Sequence, residues 1–172
     1  AHPDFGNPGI NASTGSLGHG LGISVGQAYA EKLKESKTEL FCLISDGELQ
    51  EGSTWEAVMM ASNLNLSNLF CFVDLNDFGG LERMSTNFKS FYPLVEKFES
   101  FGWEVDIVDG HISNEICDKF KNRIGGRPYV MICKTIKGKG VSYMENVPIW
   151  HYRSPNPVEF IEAIKELNGS DA

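Results

Sequence analysis

The stretch LISDGELQEG, residues 43–52, holds the densest chemistry in the chain. An apolar run stops at Ser45, and Asp46, Gly47, Glu48 and Glu51 follow with little base nearby. Asn76 comes just after the next apolar run, 30 residues beyond Asp46. One strand-helix-strand unit of that length returns a chain to the same edge of a parallel sheet. A carboxylate and an amide oxygen would then converge at one point. Hard divalent cations take oxygen ligands, and Mg²⁺ completes its octahedron with water and phosphate. Gly47 would let the backbone approach a phosphate closely. The same spacing also fits a plain turn at Asp46-Gly47 and an ordinary loop residue at Asn76, and spacing alone leaves both readings open.

Upstream, STGSLGHGLG (Ser13 to Gly22) opens directly into helical patterning. Backbone N–H groups at a helix start attract anions. The stretch lacks the lysine of a P-loop and follows no strand, so it is not a nucleotide fingerprint. A flexible connection, packed closely at Gly18 and Gly22, is the other reading. Downstream, Lys137 and Lys139 lie in a long loop, where lysines either bind phosphate or are simply solvated. His151, between Trp150 and Tyr152, suits either packing or chemistry. Trp55 and Met59, one helical turn apart, read as core or interface.

These residues need a scaffold. Apolar spacing predicts helices over 17–35, 53–64, 91–101 and 113–123, and a last one from Pro157, a favoured first helical residue. Continuous apolar runs predict strands at 39–45, 69–74, 103–108 and 129–135. Such runs suit parallel strands buried on both faces. Loops cover 1–16, 75–90 and 136–156. The alternation implies an α/β fold in one domain, a parallel sheet with helices on both faces. Ligands of such sheets bind beyond the carboxyl ends of the strands. The 172 residues carry a net charge of −8, which argues against a nucleic-acid partner. No stretch approaches the roughly 20 apolar residues of a membrane span. The four cysteines form no C-x-x-C pair, as expected of free thiols in a reducing cytoplasm. The sequence opens on Ala1-His2-Pro3 rather than Met, so a lost or processed amino terminus is expected.

Four motifs, STGSLGHGLGISVGQA, SDGELQEGSTWEA, DLND and KTIKGKGVSYMEN…WHYRSP, occur in that order. Together they resemble the amino-terminal, pyrophosphate-binding half of transketolase, and above all the short amino-terminal subunits of two-subunit transketolases. The resemblance covers nearly the whole chain. It implies the thiamine-diphosphate-binding (pyrophosphate-domain) fold, with thiamine diphosphate and a divalent ion (Mg²⁺, Ca²⁺ or Mn²⁺) as cofactors. By the resemblance Asp46, Asn76 and the Phe78 carbonyl hold the metal. Gly47 lies against the diphosphate, and Gly15 and Leu17 pack on the diphosphate and thiazolium. Glu51 and Glu56 match acids that link paired active sites across the subunit interface, Glu51 being counted with the cofactor-binding residues. His2 faces substrate hydroxyls, and His151 touches both diphosphate and substrate near the reacting carbon. Three departures stand out: Ser45 for the usual Gly, His19 for Gln, and DFGGLERMST where the family has an IDG segment.

The implied activity is transfer of a two-carbon ketol unit between sugar phosphates. Family members carry about a hundred residues before the motif matched by Ala1-His2-Pro3, and a carboxyl half with the glutamate that tautomerises the aminopyrimidine ring. The expected partners are therefore a carboxyl-half subunit (pyrimidine-binding plus C-terminal domain) and, for the upstream residues, a separate amino-terminal piece, assembled as a dimer of heteromers. No turnover is expected of the chain alone. Two alternatives stand beside this: one component of a decarboxylating enzyme acting on a 2-oxo acid, and a non-catalytic scaffold that keeps the fold.

Overall fold

A computed structural model describes residues 3–169. Helix α1 (Gly20–Leu33) leads to strand β1 (Leu40–Ser45), a short 3-10 turn (Gly47–Gln50) and α2 (Gly52–Asn63). Strand β2 (Leu69–Leu75) follows, then a small antiparallel hairpin of β3 (Phe78–Gly79) and β4 (Glu82–Arg83). After it come α3 (Met84–Asn87), α4 (Leu94–Ser100), β5 (Glu104–Asp109), α5 (Ser113–Lys121) and β6 (Tyr129–Lys134). A second 3-10 turn (Pro148–His151) precedes α6 (Pro157–Gly169).

The four long strands form one parallel sheet in the order β1-β2-β6-β5. Ser45 sits beside Asp74, Asp74 beside Cys133, and Cys133 beside Val108, so all four strands end along one edge. The apolar runs form these strands because their central members are covered. On one face Cys42, Ile44, Cys71, Val73, Val130 and Ile132 pack against α1, α2 and α4. Residues Leu21, Val25 and Ala28 of α1 fall on one helical stripe, which is the buried one.

The other face is covered unevenly. Ile116 and Phe120 of α5 pack on Phe70, Val108, Tyr129, Met131 and Cys133. On that face of β1 α5 reaches only Phe41, through Phe120 (ring centroids 5.7 Å), so Phe41 and Leu43 are 57% and 76% exposed, although Phe41 also stacks on Phe70 and Phe72. The expectation that this first strand is buried on both faces therefore fails. Its run is continuous, but α5 on that side stops short of covering Leu43.

Other boundaries shift for local reasons. The first helix starts at Gly20, not Leu17, because Gly18 takes φ +81°, outside the helical region. The expected 75–90 loop contains the hairpin and α3. The helix expected from 91 begins at Leu94, directly after Pro93, which has extended backbone (ψ 138°).

Candidate cofactor and metal site

Asp46 immediately follows β1, and its N–H donates to the Asp74 carbonyl (3.1 Å). The side chain is fully buried. Its Oδ1 accepts from Gly47 N–H (2.8 Å) and its Oδ2 from Asp77 N–H (2.7 Å). Burial pushes the carboxyl up to about 6, against the pull of these N–H donors. The backbone thus holds a desolvated carboxylate in place at the carboxyl end of a strand. A carboxylate has about four acceptor positions, so two remain for a cation.

Asn76 lies just beyond β2. Its Nδ2 donates to Asp74 Oδ2 (3.0 Å), which fixes the amide orientation, and its Oδ1 accepts from Phe78 N–H (3.0 Å). The Phe78 carbonyl belongs to the same cluster. A Cβ placed on Gly47 would lie 3.9 Å from that oxygen and 3.3 Å from Gly79 Cα. Gly47 is therefore a narrow cradle walled by the hairpin, where a side chain would crowd backbone. Asp77, at φ +70°, makes the bend that turns the chain back, and its carboxylate secures it by accepting from Ser85 N–H and Oγ–H (both 2.7 Å). An all-oxygen donor set beside a glycine that bares its backbone fits a hard divalent cation carrying a diphosphate. The altered segment after Asn76 keeps the Phe78 carbonyl next to Gly47.

The glycine-rich loop sits against the same segment. Gly18 N–H donates to Glu48 Oε1 (3.2 Å), and Ser53 Oγ donates to the Gly18 carbonyl (2.9 Å). Burial raises the Glu48 carboxyl, opposed by the Gly18 N–H and reinforced by the charge of Glu51. Gly15 and Leu17 face outward, Leu17 being 49% exposed.

The late loop leaves β6 along the same edge. Thr135 N–H donates to the Leu75 carbonyl (3.0 Å), and Thr135 Oγ1 donates to Asp74, the residue that orients Asn76. His111 Nε2 accepts from Ile136 N–H (2.8 Å). Lys137 Nζ lies 3.2 Å from His151 Nδ1. Partial burial and the Lys137 charge hold His151 below the usual histidine range. Tyr152 reaches the hairpin, since a Cβ on Gly80 would lie 3.2 Å from its hydroxyl. Lys139 pairs instead with Glu145 (3.7 Å).

Glu51 and Glu56 are exposed at the start of α2, and Met59 and Met60 are 42% and 50% exposed on the same helix. His2 lies outside the described residues. Spacing alone singled out Asp46 and Asn76 and missed Asp74, Glu48, Thr135 and His111. Asp74 had a visible signal, an acid ending a strand two residues before Asn76. The others act through partners distant in sequence.

A family model described as "Transketolase, thiamine diphosphate binding domain" matches residues 1–171. The chain is 43% identical over 164 residues to a transketolase family protein of Sinorhizobium fredii, spanning 94% of this chain and 58% of that protein. It is 38% identical to an apulose-4-phosphate transketolase subunit of Actinobacillus succinogenes, spanning 93% and 58%, and 34% identical to the protein of the same name from Phocaeicola vulgatus, spanning 97% and 60%. The chain thus spans less than two thirds of these relatives' length. In fold it resembles transketolase from Campylobacter jejuni (TM-score 0.72, 24% identity, 92% of this chain and 30% of that one). The likeness to transketolase from Leishmania mexicana is similar (TM-score 0.70, 20% identity, 95% and 29%). The chain belongs to the transketolase family, of which it carries the thiamine diphosphate binding domain.

Proposed function

We propose that this chain, as a single pyrophosphate-binding domain, anchors the diphosphate of thiamine diphosphate through a divalent cation, in an enzyme that moves two-carbon ketol units between sugar phosphates. The observation that carries this reading is the gathering of Asp46, Asn76 and the Phe78 carbonyl around Gly47 at one sheet edge. Those three groups would hold the cation, Mg²⁺ in the first instance. When bound, the cofactor supplies the carbon nucleophile and the electron sink, and the protein supplies binding and orientation. Leu17 would present an apolar surface to the thiazolium, and Gly15 a close backbone approach. His151, held below the usual histidine range by partial burial and the nearby Lys137, would orient substrate hydroxyls or carry a proton. His2 would face the same hydroxyls. The exposed Glu51 and Glu56 would meet a partner chain.

A carboxyl-half subunit would supply the pyrimidine-binding groups, with the assembly a dimer of heteromers in the cytoplasm, where the four free thiols stay reduced. Two relatives are named for apulose-4-phosphate, so that sugar phosphate is the first substrate to try. Calorimetry with thiamine diphosphate and Mg²⁺, with and without the carboxyl-half partner, followed by a ketol-transfer assay, tests the reading. Binding with ketol transfer supports it. Binding with decarboxylation of pyruvate instead would move the chain to the 2-oxo-acid branch. No binding with any partner would make it a scaffold.

A further inference from the structure

Glu48 is nine-tenths buried yet ends at a backbone N–H rather than at a base. It lies two residues after Asp46, in the 3-10 turn that closes β1. Its Oε1 accepts from Gly18 N–H at 3.2 Å, while Ser53 Oγ donates to the Gly18 carbonyl at 2.9 Å. One residue is thus gripped at both polar groups by a single downstream segment. The approach is close: Gly18 has φ +81°, and a Cβ there would lie 3.0 Å from Glu51 Cβ. No other residue type fits without displacement.

The same carboxylate stands at the start of α1. That helix has no acid in its first turn, and its N-cap, His19, makes no side-chain cap. A Cβ on Gly20 would lie 3.9 Å from Glu48 Oε1. An anion from 30 residues downstream therefore faces the positive end of the helix, where it is favoured. At this helix start one anion therefore comes from within the chain. What the clamp leaves outward is Leu17, one residue before Gly18 and 49% exposed.

We infer that Glu48 is a positioning residue, fixing the Gly15–Leu17 segment at a set distance from the Asp46–Gly47 cradle so that Leu17 meets the thiazolium ring. This rests on the proposed cofactor. Two parts of one ligand would then be read by one rigid unit: the diphosphate at Asp46 and the ring at Leu17. Losing Glu48 frees the ring-reading part and leaves the diphosphate-reading part intact.

The test uses the chain assembled with its carboxyl-half partner, and calorimetry of two probes, Mg²⁺ with thiamine diphosphate and Mg²⁺ with inorganic pyrophosphate. Glu48→Ala is expected to weaken thiamine diphosphate binding about tenfold, the scale of one charge-assisted hydrogen bond. Pyrophosphate binding should stay within about twofold of the wild type, well inside that scale. Glu48→Gln keeps an acceptor and should recover most of the loss. Hydrogen exchange at the Gly18 amide should quicken in the Ala variant and not in the Gln variant. Should Glu48→Ala fail to fold, Ser53→Ala releases the other grip and is expected to show the same split between probes, more weakly. Equal losses for both probes, or no loss for either, would overturn the inference. Wild-type protein that binds pyrophosphate but not thiamine diphosphate would also overturn it, and wild type that binds neither would remove the proposed function itself.

Discussion

The two halves of the candidate site are built in opposite ways. Asp46, Asn76 and Phe78 hang from the ends of two hydrogen-bonded neighbouring strands, and backbone N–H groups fix them. Lys137 and His151 belong to a long loop beyond β6, and both are held by side chains near solvent. The loop is pinned at its start by Thr135 on Leu75 and His111 on Ile136. Further along, Tyr143 OH and Ser142 donate to Glu159 and Glu166 of α6. Sheet register therefore sets where the proposed cofactor anchor stands, whereas exposed and screened contacts set where the histidine stands.

The sharpest way to break that contrast is to cut into the strand-end half. Asp46→Ala should lower the affinity for thiamine diphosphate and Mg²⁺ by more than about a hundredfold, the upper range for losing a mere supporting partner. Calorimetry reads it directly. The fold should survive, because the surrounding core clusters do not include Asp46.

In the loop half, His151→Ala should weaken cofactor affinity far less than Asp46→Ala does and lower kcat about a hundredfold, the scale of a lost general acid or base. The pH profile sharpens the point. Lys137 helps hold His151 below its ordinary range, so Lys137→Met should move the acid limb of kcat to higher pH. An unmoved limb would detach Lys137 from His151.

Gly47→Ala tests the rigidity of the strand-end half. Its new methyl would meet Gly79 Cα, a backbone atom, at 3.3 Å. Overpacking of this kind costs about 1–3 kcal/mol. Tm should fall, and cofactor affinity should weaken about tenfold as the Phe78 carbonyl is pushed aside.

The same division explains how much could be read in the sequence. Strand ends are legible because an apolar run stops where the sheet stops. LFCLISDG and LFCFVDLN therefore placed Asp46 and Asn76 at one edge, and the family motifs supplied Phe78 and His151. The clasps were not legible. Glu48 reaches Gly18 across 30 positions, Thr135 reaches Asp74 across 61, and His111 reaches Ile136 across 25. Nothing in local spacing says which acid or hydroxyl will find which backbone group. Burial failed in a parallel way at Phe41 and Leu43, since a run announces apolar surface but not what covers it.

The smallest expected effect lies where the loop meets α6. Glu166 accepts from Ser142 N–H and Oγ–H, and these two bonds hold its carboxyl below the ordinary carboxylate range. Glu159 is lowered likewise, by Asn156 N–H and then by Arg153. A depressed folded-state pKa means stability that is present above the unfolded carboxylate pKa and lost as pH falls through the folded value. Between neutral pH and the ordinary carboxylate range the loop should therefore stay docked on α6, and it should loosen only below it. Hydrogen exchange at the Ser142 amide, corrected for its intrinsic pH dependence, should rise there while the Asp77 amide on Asp46 stays protected. Glu166→Ala should give the loosened loop at neutral pH. Because both acids lie at the surface, salt should weaken the effect. If the Asp77 amide opened together with the Ser142 amide, the two halves would be one cooperative unit, and the distinction between sheet-held and loop-held chemistry would fall.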